Sequence, residues 1–234
     1  MTTFRYTLDK ISPTPLTDKS IVLDLDETLI HTFHDDGAES LDLLSKLNIF
    51  KDPKKIKYRK RLYKLTMENV VDEHGSGKRY QMWGITRPYL KNFLIFCFSY
   101  FKIVAVWSAG LPKYVDAMVN YIFRDLPDPH IVFARDKCVS FNGKLIKPLT
   151  KMINDIPELH TVMSLKTTFV IDDRKSTFSK NANNGIKIPA YTPEIKLEDF
   201  DQDDTCLYNL VQYFMKDKVR LSKDVQSLPK NIYT

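Results

Sequence analysis

The run Asp24-Leu25-Asp26-Glu27-Thr28 sets two carboxylates at i and i+2, at the end of the apolar stretch Ser20–Leu25 (SIVLDL). In extended chain, residues two apart project to the same side, so Asp24 and Asp26 can face one reacting group. One carboxylate can then attack as a nucleophile while its neighbour moves a proton. Packing explains the pair poorly, because Asp is a weak strand former and a buried carboxylate without a partner is costly. A bare DxD also suits an acidic loop or a helix cap. The apolar strand before it and ETLIHT after it favour a site. In open α/β sheets ligands bind beyond the carboxyl ends of the strands, where this pair falls.

Further strands are predicted at Lys102–Trp107 (KIVAVW), His130–Ala134 (HIVFA), Thr168–Ile171 (TFVI) and Gly185–Ala190 (GIKIPA). Near-continuous apolar runs of this kind mark strands buried on both faces. Helices are predicted between them. Pro88 suits the first turn of a helix through YLKNFLIFCFSYF. Val115, Met118, Val119 and Ile122 recur at helical spacing, as do Leu207, Leu210, Val211, Phe214 and Met215. Strands alternating with helices imply a parallel α/β sheet covered by helices. Roughly sixty residues between the first strand and Pro88 break the rhythm. They hold a predicted helix at Glu39–Asn48, a basic run, and strands around Arg61–Met67 and Arg79–Thr86. The turn signal HGSGK separates these two strands as a hairpin. We read 1–234 as a single domain and 33–86 as a small α+β insertion within it.

The chain of 234 residues carries +6, yet residues 51–64 (KDPKKIKYRKRLYK) alone hold +7. The remainder is nearly neutral, so a whole-surface nucleic-acid coat is disfavoured. The basic run fits steering of an acidic partner, a nuclear-import signal or a solvated face. Three cysteines far apart, without a CxxC pair, argue against a disulfide framework or a cysteine-based zinc site. The first twenty residues lack an apolar signal core, and Phe93–Phe101 is too short to span a bilayer. These features predict an intracellular protein of nucleus or cytoplasm, without membrane attachment.

DLDETLIHT resembles motif I, DxDx[TV], of the haloacid dehalogenase (HAD) phosphatases. It is most similar to the FCP/SCP-like branch, the NLI-interacting-factor-like phosphatases that act on phosphoserine in the RNA polymerase II C-terminal domain (CTD) and in other proteins. Other segments follow in the branch's order. VWSAGLPKYVD resembles the FTAS-x-x-x-Y segment, with Ser108 at motif II. FARDKC is similar to FRE-x-C and puts Arg135 at a substrate-facing arginine. LIKPL supplies Lys147 at motif III, and TFVIDDRKSTF supplies Asp172 and Asp173 at motif IV. TRPYLKNFL resembles KRP-x-x-x-x-FL. The match covers Ser20 to Tyr191 and implies a HAD-like Rossmannoid α/β fold.

The resemblance implies a protein serine/threonine phosphatase working through an aspartyl-phosphate on Asp24. Asp26 serves as acid and then base, Ser108 and Thr28 lie at the phosphate, and Lys147 bridges Asp24 and the phosphate. A phosphate monoester facing this many carboxylates needs a compensating cation, and hard oxygen ligands suit Mg²⁺. Asp24, the Asp26 backbone carbonyl, Asp172 and Asp173 are the implied ligands. Leu111 and Tyr114 match positions of the branch's substrate pocket, with Phe33 across from them. The expected partner is a phosphorylated protein or peptide. Two alternatives stay open: a HAD phosphatase acting on a nucleotide, nucleic-acid end or small metabolite, and a non-catalytic phosphopeptide scaffold.

Plainer roles exist for several residues. Ser108 suits a helix N-cap, Lys147 a solvated loop and Asp172-Asp173 a cap pair. Cys138 fits a packed thiol. Trp107 and Gly110 depart from the branch's Phe and Ser, and Asp173 stands where small CTD phosphatases carry Asn. No BRCT-like extension follows motif IV, so the longer FCP architecture is not expected.

Overall fold

The computed structural model describes residues 5–8, 14–33, 51, 59–72, 75–193 and 204–233. Its centre is a six-stranded sheet built from β1 (Arg5–Tyr6), β2 (Ser20–Leu23), β6 (Ile103–Trp107), β7 (Ile131–Phe133), β10 (Thr168–Asp172) and β11 (Gly185–Lys187), in the order β1-β7-β6-β2-β10-β11. Five strands run parallel, and β1 adds antiparallel to β7. The sheet is therefore mixed at one edge, a feature the polar N-terminal segment did not suggest.

The apolar alternation sorts the two faces. Ile21, Leu23, Val104, Val106, Phe169 and Ile171 point into one core with helices α1 (Leu90–Tyr100), α2 (Pro112–Ile122) and α4 (Cys206–Met215). Val22, Ile103, Ala105, Trp107 and Val170 point into the other, with α3 (Leu149–Asp155). Residues buried on both sides explain why these strands read as unbroken hydrophobic runs. A short helix, α5 (Asp217–Arg220), follows α4.

Between β2 and α1 lies a second sheet of three strands, β3 (Ile30–Phe33), β4 (Leu62–Asp72) and β5 (Gly75–Thr86), in the order β3-β5-β4. It begins before the expected residue 33, because Ile30 already pairs with Thr86. The β4–β5 hairpin is antiparallel and longer than predicted, so Gly75–Lys78 of the HGSGK signal lie in β5. Local turn preference lost there to strand pairing. The predicted helix at Glu39–Asn48 and residues 52–58 of the basic run lie outside the described residues.

Two other expectations change. Pro88 precedes α1 instead of filling its first turn, since Tyr89 adopts a left-handed conformation (φ 65°) and the helix starts at Leu90. A small hairpin, β8 (Val139–Phe141) with β9 (Lys144–Ile146), links β7 to the segment bearing Lys147. Asn142 and Gly143, both at positive φ, make its turn.

Candidate active site

The site sits where β6, β2 and β10 end side by side. β2 has β6 on one side and β10 on the other, so the connections diverge there, as at the ligand crevices of open α/β sheets. Asp24 follows β2, and its N–H extends the ladder to the Ile171 carbonyl at 3.0 Å. Asp172 ends β10 and Ser108 follows β6. Leu25 then accepts N–H bonds from Leu29 (2.8 Å) and Ile30 (3.1 Å), curling the chain into a tight loop. At its bend Glu27 takes φ 57°, a conformation costing about 1–2 kcal/mol for a side-chain residue. Bonds from Glu27 N–H to Ile30 and from Tyr191 N–H to Glu27 O hold it there.

Lys147 Nζ lies between two carboxylates, 2.6 Å from Asp24 Oδ1 and 2.8 Å from Asp172 Oδ2. All three side chains are nine-tenths or more buried. Against burial, which lowers it, Asp24 and Asp172 hold the Lys147 ammonium above its ordinary value. Burial, with repulsion from Asp172 and Asp26, pushes the Asp24 carboxyl up in spite of Lys147. Asp173 rises to about 6, through burial and then Asp172. Asp24, Asp172 and Asp173 bring one carboxylate oxygen each within 4.8 Å of one another. Three acids around one buried ammonium leave an excess of negative charge, so a hard divalent cation fits this donor set.

Asp26 is half-buried and accepts hydrogen bonds from Tyr114 on Oδ1 and, at 3.4 Å, from Ser108 on Oδ2. Burial raises its carboxyl above the usual range, against those two bonds. An acid form kept to higher pH is what a proton donor needs.

A model of the NLI interacting factor-like phosphatases matches residues 19–226. The chain belongs to this family. Among NLI interacting factor-like relatives, "Probable C-terminal domain small phosphatase" of Dictyostelium discoideum is 25% identical over 82% of this chain and 48% of its own length. "CTD nuclear envelope phosphatase 1" of Xenopus tropicalis is 26% identical over 99% and 82%. The solved structure of Fcp1, an essential RNA polymerase II CTD phosphatase, shares the fold at TM-score 0.56 and 18% identity, over 87% of this chain and 51% of that one. The chain thus spans about half the length of the Dictyostelium relative and of Fcp1.

Within this NLI interacting factor-like fold, some expected residues sit elsewhere than the resemblance implies. Thr28, expected at the phosphate, is fully buried behind Asp24: its hydroxyl donates to Asp24 Oδ2 at 3.0 Å and accepts from Asp173 N–H at 3.2 Å. It ties the two acidic motifs together. Ser108 does not cap a helix, because Leu111 is the residue before α2. Its Oγ accepts from Gly110 N–H at 2.9 Å and shapes the turn. Arg135 is exposed, with Nε donating to the Ala109 carbonyl at 2.6 Å. Leu111 is exposed at the start of α2. Tyr114 turns its hydroxyl to Asp26, whereas Phe33 stacks on Trp83 at 4.1 Å on the opposite face of the small sheet from Thr32. Cys138 packs its thiol against the Ser108 and Ala134 carbonyls, both at 3.9 Å.

Arg87, within the TRPYLKNFL segment, carries a structural role that no local pattern assigns. Its guanidinium is buried and donates to Asp204, to the Thr28 carbonyl (3.0 Å) and to the Pro189 carbonyl (2.9 Å). An arginine inside an otherwise apolar strand-to-helix junction was the available signal. Of the basic run, Arg61 donates to Thr86 O (2.9 Å) and Tyr191 OH (2.8 Å), while Lys60 edges a cavity shared with Lys91 and Arg124.

Proposed function

We propose that this chain is a Mg²⁺-dependent protein serine/threonine phosphatase that acts through an aspartyl-phosphate on Asp24. The observation carrying this reading is the Asp24–Lys147–Asp172 ion triad set beside a further carboxyl group, Asp26, whose acid form is favoured by burial. Asp24, Asp172 and Asp173 would hold the metal, which when bound neutralises charge on the phosphoryl group.

Asp24 attacks phosphorus and the bond to the seryl oxygen breaks. Asp26 gives that oxygen its proton. It then takes a proton from the water that attacks the aspartyl-phosphate, and phosphate leaves with Asp24 restored. Lys147 holds the Asp24 side chain in place and opposes the upward pull of burial on its carboxyl, and its charge offsets that building on the phosphoryl oxygens. Thr28 fixes the other Asp24 oxygen, so attack comes from one orientation. Ser108, Arg135 and the amides near the start of α2 supply donors to the phosphate. The names of the CTD and nuclear envelope relatives support a phosphoprotein substrate in nucleus or cytoplasm.

The test is turnover of a phosphoserine peptide and of p-nitrophenyl phosphate, with Mg²⁺ and after chelation. Wild type turns over both only with metal, and Asp24→Asn turns over neither. Activity retained in Asp24→Asn ends the aspartyl-phosphate assignment.

A further inference from the structure

The steps above leave three buried or half-buried hydroxyls beside Asp26 without a task. Thr32 on β3 and Tyr63 on β4 both pair with Gly84 of β5. They therefore stand in one row across the small sheet, two strand spacings apart, or about 9.6 Å. A side chain at the middle position would separate them. Gly84 has none: a Cβ there would lie 2.3 Å from the Tyr63 hydroxyl oxygen and 2.3 Å from the His31 carbonyl. Over this gap the Tyr63 hydroxyl reaches 2.7 Å from Thr32 Oγ1. Thr32 Oγ1 lies 2.8 Å from the Tyr114 hydroxyl, which meets Asp26 Oδ1. Thr32 and Tyr63 are 2% and 4% exposed, so bulk water has little access to either.

Counting protons gives the row a direction. Each hydroxyl has one proton to donate. That of Tyr114 goes to the carboxyl oxygen, so the Tyr114 oxygen accepts from Thr32. Thr32 in turn accepts from Tyr63, whose other acceptor, the His31 carbonyl, is farther at 3.3 Å. All three donors point toward Asp26. A second glycine clears the far end, since a Cβ on Gly110 would stand 2.6 Å from the Tyr114 ring.

We propose that Tyr63, Thr32 and Tyr114 form a hydroxyl relay that orients Asp26 for proton transfer, with Gly84 and Gly110 providing the space it needs. Oδ1 is committed to accepting from Tyr114. Oδ2, approached at 3.4 Å by Ser108, is the oxygen that exchanges its proton with substrate and water. Tyr63 and Thr32 are positioning residues, acting through Tyr114. The inference rests on the phosphatase reading and adds a role for the small sheet: it aims the acid.

The experiment compares wild type, Thr32→Val, Thr32→Ser and Tyr63→Phe on a phosphoserine peptide and on p-nitrophenyl phosphate. A seryl oxygen is a poor leaving group and needs the proton, whereas nitrophenolate leaves without one. Thr32→Val and Tyr63→Phe are expected to lower kcat on the peptide about tenfold, part of the 10²–10⁴ that acid–base catalysis supplies. KM stays within about twofold, and the pre-steady-state burst of nitrophenolate keeps its rate. Thr32→Ser, which keeps the hydroxyl, recovers most of the peptide turnover. A merely structural role would lower both substrates together. Equal losses in peptide kcat and in the nitrophenolate burst rate, or unchanged peptide turnover in both variants, overturns the relay. Should Thr32→Val fail to fold, Tyr63→Phe and Gly110→Ala give the same comparison. A wild-type enzyme without turnover on either substrate overturns the phosphatase reading, and the relay with it.

Discussion

Replacing Asp204 by Ala tests the least expected ion pair in the molecule. The Arg87 side chain is 0% exposed and that of Asp204 19%. Arg87 Nε lies 3.1 and 3.0 Å from the two Asp204 oxygens, and Nη2 lies 2.8 Å from Oδ2. Asp204 Oδ1 also accepts the Cys206 N–H at 2.9 Å, at the start of α4. Asp204→Ala leaves a guanidinium buried with two backbone carbonyls but no counter-charge. Removing one partner of a buried pair costs about 3–5 kcal/mol. The partial exposure of Asp204 lets water reach the orphaned cation, which puts the expected loss near the lower bound, about 3 kcal/mol. For a chain of this size each kcal/mol lowers the melting temperature by about 2–4 °C, so the midpoint should fall by about 6–12 °C. Arg87→Met should cost more, about 4–5 kcal/mol, because Thr28 and Pro189 also lose their donor. Arg87→Lys rescues poorly, since one ammonium cannot replace the planar fork. Urea and thermal unfolding of the single variants and of the double variant read these values. Effects below about 0.5 kcal/mol for Asp204→Ala, or simple additivity in the double variant, would refute the reasoning that the pair acts as a buried unit.

Two further outcomes follow from the geometry. Lys147→Met leaves Asp24 and Asp172 buried without their shared cation, so kcat on p-nitrophenyl phosphate should fall by about a hundredfold or more, and unfolding assays should show a loss of stability; turnover equal to wild type would remove Lys147 from the chemistry. Gly185→Ala places a Cβ 2.1 Å from the ring of Phe178, which is 4% exposed, and should cost about 1–3 kcal/mol by overpacking in urea unfolding, with a neutral result showing that the ring relaxes freely.

The carboxylates of the site lean on both sheets. Asp24, Asp172 and Ser108 come from the ends of three adjacent parallel strands, a rigid support. Asp26 instead leans on Tyr114, and through it on Thr32 and Tyr63 from two strands of the insertion. In the proposed mechanism the nucleophile Asp24 and the proton donor Asp26, two residues apart, thus draw on different supports, although Ser108 of the large sheet reaches Asp26 as well.

The sequence by itself determined the central strands and the acidic motifs, because both are local patterns. SIVLDL, KIVAVW and TFVI are apolar without a break, and burial on both faces demands that. Carboxylates at strand ends stand out against such runs, so Asp24, Asp26 and Asp172 were legible in one dimension. Strand register and long-range pairing decided the rest. HGSGK reads as a turn, yet most of it lies in β5, because β4 and β5 pair farther along than local preference suggests. Thr28 looked like a substrate ligand until the chain curled and turned its hydroxyl inward between Asp24 and Asp173. Arg87 meets Asp204 across 117 residues, and no local pattern encodes that partner. Gly84 is an ordinary strand glycine in the sequence. Only the register that sets it between Thr32 and Tyr63 turns a missing side chain into the gap through which two hydroxyls meet.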